Sequence, residues 1–389
     1  MRFELVTPAR ILVGDGAAAE LPAVVRQAVG ISDGPVRVVS VVGSGRARTA
    51  GLRAALAADG IEGPVLQAAG EPTVEDARGA AALLREARPD VVVAIGGGSV
   101  IDTAKAVAAL AANPGDVLDY LEVIGRGRPL TAPSLPVVAV PTTAGSGSEV
   151  TRNAVLASPE HRVKVSLRSA TMVPRVALVD PWLTRGLPPA VTAATGLDAL
   201  TQVIEPFVSP LGNPATDALA REGISRAARS LRRAYEVGDD EARRDMAIAS
   251  LFGGLALANA KLGAVHGLAG VIGGMVEGPH GAVCARLLPL VIEANLVALR
   301  DREPGSPALG RYDEVARLVT GRPDATAPAG AAWVRDLCEV LAVPRLGAYG
   351  LTTGDLAAVA AGAARASSTA GNPVVLTHDE LVGVLERAL

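Results

Sequence analysis

A change of texture near residue 181 constrains this chain more than any other feature. Before it, short β-branched runs alternate with amphipathic, alanine-rich segments. VRVVSVV is followed by RARTAGLRAALAADG, which reads as a helix closing on Gly60. GPVLQAAG then precedes EPTVEDARGAAALLREARPD, and VVVAIG precedes a further helix from about Ser99. Continuous apolar strands alternating with helices indicate a parallel sheet covered on both faces. Further strand-like runs follow in VVAVP, VTRNAVLAS, RVKVSL and RVALVD. After Asp180-Pro181 the strands stop, and helical periodicity punctuated by Gly and Pro takes over. The expected architecture is an α/β N-terminal domain with a parallel sheet, residues 1–183, and an all-α C-terminal domain, residues 184–389. A crevice between two such domains is a natural ligand site.

Composition narrows the class. At 389 residues the chain is too long for one ordinary core. Hydrophobic residues make up 49% and charged residues 20%, which fits a soluble protein with ample core. The net charge is -3, and the densest basic block, SRAARSLRR, spaces its arginines like the solvated face of a helix. Nucleic-acid binding is not indicated. Cys284 and Cys338 stand in unrelated contexts, so no disulfide framework is suggested and a reducing, cytoplasmic setting fits. MRFELVTPAR lacks the apolar core of a signal peptide. The most apolar region, residues 251–275, is interrupted by Asn259, Lys261 and His266, and reads as a buried helix rather than a membrane span.

The strongest local signal is VVVAIGGGSVIDTAKAVAAL. A buried strand runs into Gly96, Gly97, Gly98 and Ser99, and a helix follows at once. Glycines let backbone N–H groups approach a phosphate, and the helix N-terminus adds partial positive charge. A tight strand-to-helix turn uses glycines too, and the run is not GxGxxG, so no standard dinucleotide fingerprint is present. VVAVPTTAGSGSEVT supplies a second polar loop, with hydroxyls at Thr142, Thr143, Ser146 and Ser148. Together the two loops suit the pyrophosphate and ribose of a dinucleotide, which makes the first domain nucleotide-binding. After VRVVSVV, where such sites often carry an acid for the adenosine ribose, stand Gly43, Ser44, Gly45 and Arg46, with Arg48 beyond. A missing acid beside arginines leans towards NADP over NAD.

GLDALTQVIEPFVS reads as a helix that stacks Asp198 and Gln202 on one face, the usual way to aim two groups at one ion. An aspartate suits a metal; a neutral amide oxygen is a poor ligand for a transition ion. Four histidines exist, His161, His266, His280 and His378. His266 and His280 share one apolar, Gly-rich region, which points to a site. His161, at a polar hairpin tip, and His378 are expected at the surface.

GGGSVIDTAKA, PTTAGSGSEVT, the Asp180-Pro181 pair, GLDALTQVIEPFVS, GAVHGLAGVIGG, GPHGAVCARLLP and NPVVLTHDEL occur in this order over essentially the whole chain. In them the sequence resembles the iron-containing (group III) alcohol dehydrogenases, of the dehydroquinate-synthase-like fold. The resemblance implies an N-terminal nucleotide domain, a helical C-terminal domain and a divalent metal. Members usually bind the metal through an Asp and three His. Asp198, His266 and His280 match three of those positions, while Gln202 replaces the remaining histidine and Gly270 replaces a further histidine common in the family. Asp102 and Ser148, inside the matching motifs, join Gly43, Ser44, Gly97, Gly98, Ser99, Thr142 and Thr143 as expected cofactor-binding residues. Lys164 is a candidate ribose ligand whose alternative is an ordinary exposed lysine.

The resemblance implies an NAD(P)-dependent oxidoreductase that interconverts an alcohol and an aldehyde or ketone. The metal, Fe²⁺, Zn²⁺ or Mn²⁺, would be held by Asp198, Gln202, His266 and His280 and polarise the substrate oxygen. The catalytic residues are then Asp198, His266 and His280, and a homodimer is expected. Alternatives are a metal-independent reductase resembling maleylacetate reductase, a sugar-phosphate cyclase of the same fold, and a non-catalytic nucleotide-binding protein.

Overall fold

The β-branched runs of the first half pair with one another side by side in the structure, a computed structural model that describes residues 2–68 and 70–389, with residues 46–48 described by their backbone only. The strands are β1 (Arg10–Val13), β2 (Val36–Val42), β3 (Ile61–Glu62), β4 (Val65–Gln67), β5 (Val91–Gly96), β6 (Val137–Pro141), β7 (Asn153–Ser158), β8 (Val163–Arg168) and β9 (Val176–Val179). A parallel sheet runs in the order β1-β9-β6-β5-β2-β3, with β4 also on β2. Helices α1 (Leu21–Val29), α2 (Arg46–Ala58), α3 (Val74–Ala87) and α4 (Gly98–Ala112) accompany it.

Alternation along β5 explains why its residues are all apolar. Val91, Val93 and Ile95 pack with Leu21, Val24 and Val25 of α1, whereas Val92 and Ala94 pack with Ile101, Ala104, Val107 and Ala108 of α4. Both faces are covered, so every position is a core position. Each fully buried Val or Ile contributes about 1.5–3 kcal/mol relative to exposure. β7 and β8 stand apart as an antiparallel hairpin, packed by Leu156 and Leu167 against Ala106 and Leu110 of α4.

From Gly186 onward the chain is helical: α5 (Pro189–Val208), α6 (Pro214–Glu236), α7 (Asp240–Ala260), α8 (Ala264–Met275), α9 (His280–Arg302), α10 (Pro307–Thr320), α11 (Ala327–Val340), α12 (Leu356–Arg365) and α13 (His378–Ala388). α5 is buried almost end to end, and α6, α7 and α9 all pack on it. α9 is long and apolar enough to cross a membrane, but 78% of that apolar window is buried inside the protein, as in a core helix. The arginines of SRAARSLRR face acids: Arg226 and Arg229 pair with Asp245, Arg232 with Glu236, and Arg233 with Asp239 and Glu241. Residues 251–275 depart from the expectation of one buried helix. The chain breaks after Ala260, where Lys261 takes φ 61°, and α7 and α8 are bent by 99°. A positive φ cannot continue a right-handed helix.

Two compact units partition the chain: one holds Val6–Thr143 and Ser148–Arg185, the other Met1–Leu5, Ala144–Gly147 and Gly186–Leu389. The helical unit thus takes four residues from the middle of the PTTAGSGSEVT loop, beyond the single cut near residue 183. The glycines explain it: a Cβ on Gly145 would stand 2.7 Å from Thr195 Cβ, and one on Gly147, itself at φ +58°, 2.5 Å from Gly254 Cα. Only bare backbone can come so close.

Asp180 closes the sheet unit. Its carboxylate accepts from the backbone N–H groups of Gly16, Ala18 and Trp182, tying the N-terminal turn to the end of β9. Each buried donor left without its partner costs about 1–3 kcal/mol. The Ala18 N–H is the fully buried one of the three, so Asp180→Ala should lower stability by about 1–3 kcal/mol, and Asp180→Asn by less, because its amide keeps one oxygen acceptor. Urea unfolding of the three proteins measures this, and an unchanged Asp180→Ala midpoint would refute the clasp.

Candidate functional site

In the helical unit, α5 aligns Asp198, Gln202 and Glu205 on one face, since positions i, i+4 and i+7 stack along a helix. His266 lies in the first turn of α8 and His280 opens α9. α9 can close on α5 because residue 281 is glycine: a Cβ there would stand 2.1 Å from the Ala194 carbonyl oxygen and 3.1 Å from Asp198 Cβ. That approach brings ligand-type atoms of Asp198, His266, His280 and Cys284 all within 4.8 Å of one another. His266 Nε2 is 3.3 Å from Asp198 Oδ1, and Cys284 Sγ is 3.6 Å from His280 Nε2.

Glu205 orients the first imidazole. Its Oε2 is 2.6 Å from His266 Nδ1, and its Oε1 accepts from the Val265 N–H at 2.8 Å. An Nδ1–H donated to this carboxylate leaves the Nε2 lone pair facing Asp198. Asp198 Oδ1, Gln202 Oε1 and His266 Nε2 are all buried with no hydrogen-bond partner. Three buried acceptors without a donor are costly unless something positive sits among them. Burial opposes the Asp198 carboxylate, yet the neighbouring histidines outweigh it and hold its pKa below the usual value. Burial likewise opposes a charged His266, yet Cys284, Glu205 and Asp198 favour positive charge there and raise its pKa, so a proton on Nε2, or a cation in its place, answers Asp198. The residues fit a divalent cation.

The structure brings together Asp198, His266 and His280, with Gln202 on the same helix face. His161 and His378 are exposed, and His161 Nδ1 bonds Ser158 Oγ at 2.8 Å in the β7–β8 turn. Glu205 and Cys284 were not singled out from the sequence. The available signals were spacing alone: Glu205 lies two turns beyond Asp198, and Cys284 one turn beyond His280.

In the sheet unit, the glycine loops meet at the C-terminal ends of neighbouring strands. Val42 is in register with Ile95, and Gly96 with Pro141. The chain leaves β2 towards β3 and β4 on one side, while β5 lies on the other, a topological switch point of the kind at which α/β sheets take ligands. Gly97 caps α4 and no side chain caps that N-terminus. A Cβ on Gly97 would lie 3.2 Å from Thr143 Oγ1, and the Thr142 N–H donates to the Gly96 carbonyl at 2.9 Å. Gly43 and exposed Ser44 follow β2 at the same edge, whereas the side chains of Arg46 and Arg48 lie outside the described residues. Gly98 and Ser99 form the first turn of α4.

Asp102 and Ser148 are engaged with each other. Asp102 accepts from the Ser148 hydroxyl and from the Val155 N–H at 3.0 Å, and pairs with fully buried Lys105 at 3.0 Å. Lys105 also donates to the Ser148 carbonyl and to Thr151 Oγ1, at 2.9 Å each. Lys164 is no exposed lysine: its side chain is largely buried and ion-paired with Glu71.

Comparison with known proteins gives a consistent picture. A family model described as iron-containing alcohol dehydrogenase matches residues 8–181, and one described as the C-terminal part of the Fe-containing alcohol dehydrogenase family matches residues 192–389. Alcohol dehydrogenase 4 of Saccharomyces cerevisiae is 38% identical over 322 residues, 82% of this chain and 80% of the relative. The crystal structure of a 1,3-propanediol oxidoreductase superposes with a TM-score of 0.90 at 32% identity, covering 100% of both chains. A sulfoacetaldehyde reductase from Bifidobacterium kashiwanohense, solved in complex with NAD+, superposes with a TM-score of 0.83 at 28% identity, covering 99% of this chain and 98% of that one.

Lys105 brings one positive charge to a buried cluster that contains two carboxyls, Asp102 and Glu149. Asp102 takes the ion pair, and burial pushes the Glu149 carboxyl up to about 7 against the pull of Lys105. Between pH 4.5 and about 7 the folded protein keeps a proton that the unfolded chain has released, so stability falls as pH rises through that window. Glu149→Gln should remove this fall. Its thermal midpoint should exceed that of the parent above pH 7 and converge with it below pH 4.5. Parallel pH profiles for the two proteins would contradict the assignment.

Proposed function

The chain belongs to the iron-containing alcohol dehydrogenase family, and from that premise we propose that Asp198, His266 and His280 hold the divalent ion with which it interconverts an alcohol and its aldehyde or ketone. The observation that carries this assignment is the set of buried acceptors, Asp198 Oδ1, Gln202 Oε1 and His266 Nε2, left without donors beside a second imidazole. When bound, the ion supplies Lewis acidity towards the substrate oxygen, and the nicotinamide supplies or takes up the hydride.

The residues of the chain do the positioning. Glu205 holds the His266 proton at Nδ1, so Nε2 remains a donor of electrons. Asp198 contributes the negative charge that lets a dication be buried, and Gln202 offers a neutral oxygen on the same helix face. Gly97, Gly98 and Ser99 present an uncapped helix N-terminus suited to the cofactor phosphates, with Thr142 and Thr143 beside them. Asp102 and Lys105 tie α4 to the segment from Ser148 to Val155 that follows the threonine loop. Gly43 and Ser44 offer no acid to repel a ribose phosphate, which favours NADPH. Gly270, one turn beyond His266, leaves open space, since a Cβ there meets nothing within 4 Å. We also expect a cytoplasmic homodimer, from the family resemblance and from two buried, unpaired cysteines that suit a reducing setting.

The test is reduction of an aldehyde panel, with 1,3-propanediol and other small alcohols assayed in the reverse direction. Exhaustive chelation should abolish turnover and a divalent ion should restore it; full activity in verified metal-free protein would reject the reading. Asp198→Ala and His280→Ala should each lose the metal and most turnover, and Gly98→Val should weaken cofactor binding in a folded protein. A charge-assisted contact to the extra phosphate is worth about 1.5–3 kcal/mol, or roughly a ten- to hundred-fold preference for NADPH over NADH. Equal efficiency with both cofactors would remove that preference from the proposal.

A further inference from the structure

The donor set around Asp198 contains one group that neither the motif nor the amide at position 202 accounts for. Cys284 is fully buried, sits one helical turn beyond His280, and is a free thiol whose sulfur joins the Asp198–His266–His280 cluster. We propose that the Cys284 thiolate, and not the Gln202 amide, is the fourth protein ligand of the divalent ion, and that it biases the site towards Zn²⁺. This deepens the assignment of a metal to the cluster and rests on it.

Distances support the choice. On a tetrahedral ion with Zn–N and Zn–O bonds of about 2.0–2.1 Å and a Zn–S bond of about 2.3 Å, neighbouring N and O donors stand about 3.3 Å apart and N and S donors about 3.6 Å. His266 Nε2 and Asp198 Oδ1 are 3.3 Å apart, and His280 Nε2 and Cys284 Sγ are 3.6 Å apart. These two spacings match a tetrahedral shell, and the remaining pairs of ligand atoms lie within 4.8 Å. Asp198 Oδ1 and His266 Nε2, buried without donors, supply the independent sign that something cationic belongs there.

Charge supports it as well. With Gln202 as the fourth ligand, Asp198 would be the one anionic ligand, and the buried Glu205 carboxylate would act from beyond His266. A Cys284 thiolate would place a second negative charge on the ion itself, at bonding distance. Metal–sulfur bond formation displaces the thiol proton to solvent, so the ligand is a thiolate. Thiolate sulfur favours Zn²⁺ over the harder Mn²⁺ among divalent ions of this size. Gln202 then stands beside Asp198 on the same face of α5, outside the set of ligands.

Spectroscopy of the full-length protein tests this without relying on turnover. Metal-free protein is titrated with Co²⁺, and in parallel loaded with Zn²⁺ for X-ray absorption. The expected result is one equivalent of Co²⁺ with visible ligand-field bands and a near-ultraviolet sulfur-to-cobalt charge-transfer band. Zinc should show one sulfur at about 2.3 Å. Cys284→Ser should keep the ligand-field bands, which report a folded site, and lose the charge-transfer band. Its Zn²⁺ affinity should fall by more than the roughly 10–100-fold that loss of an outer-shell partner costs. Gln202→Ala should keep the charge-transfer band. Bound Co²⁺ without that band, or Zn²⁺ without sulfur, would overturn the role of Cys284 alone and leave the metal site standing. Failure to bind either ion would overturn both.

Discussion

Charge removed from water must be answered at close range, and this protein buries charge in the core of each of its units. In the helical unit, Asp198 and Glu205 lie on one face of α5, the most enclosed helix of the fold. Glu205 is matched by a backbone N–H in the first turn of α8, where the helix dipole favours an anion, and by the imidazole that follows it. Asp198 has no such donor for its Oδ1, and the cation-seeking character of the cluster follows from that imbalance. The packing of α5, α8 and α9 can be read as the scaffold that keeps this imbalance in place.

The sheet unit solves a related problem differently. A parallel sheet covered on both faces leaves strand ends as the places where polar groups can be exposed. The glycine and threonine loops gather there for that reason. Lys105, on the buried side of α4, holds the following loop through a backbone carbonyl and a hydroxyl. Its companion Asp102 reaches the same loop and the first strand of the hairpin. The loop is thus fixed from within by an ion pair rather than by its own short sequence.

Much of this was legible in the sequence because burial on two faces leaves a plain mark. β5 is almost wholly Val, Ile and Ala, and β2 and β6 are Val-rich, the pattern of strands covered on both faces. The four-residue β1 is too short for any periodicity to show. The break between α7 and α8 escaped because its cause is a backbone angle at a lysine, which carries no compositional signal. Asp198, His266 and His280 were legible as rare polar residues in apolar helices and through the family motifs. Glu205 and Cys284 were not, since an acid in an amphipathic helix and a cysteine in a core helix are both ordinary until the packing of α5, α8 and α9 fixes their neighbours. Lys105 was hidden in the same way: in an alanine-rich helix a lysine reads as a solvated face, and only tertiary contact shows otherwise.

The break before α8 has a bearing on how sequences of this kind can drift. Gly263, which caps that helix, has no chemistry of its own, yet a methyl group added there would stand 2.8 Å from Glu205 Oε1 and 2.9 Å from Asn372 Oδ1. The ends of the Glu205 and Asn372 side chains would have to shift, and the Glu205 carboxylate carries the hydrogen bond that sets the His266 tautomer. A glycine-to-alanine exchange, among the mildest in any substitution scale, would register as a fault in an imidazole three residues away. Fidelity of the cluster is held in part by a position whose contribution is to remain empty.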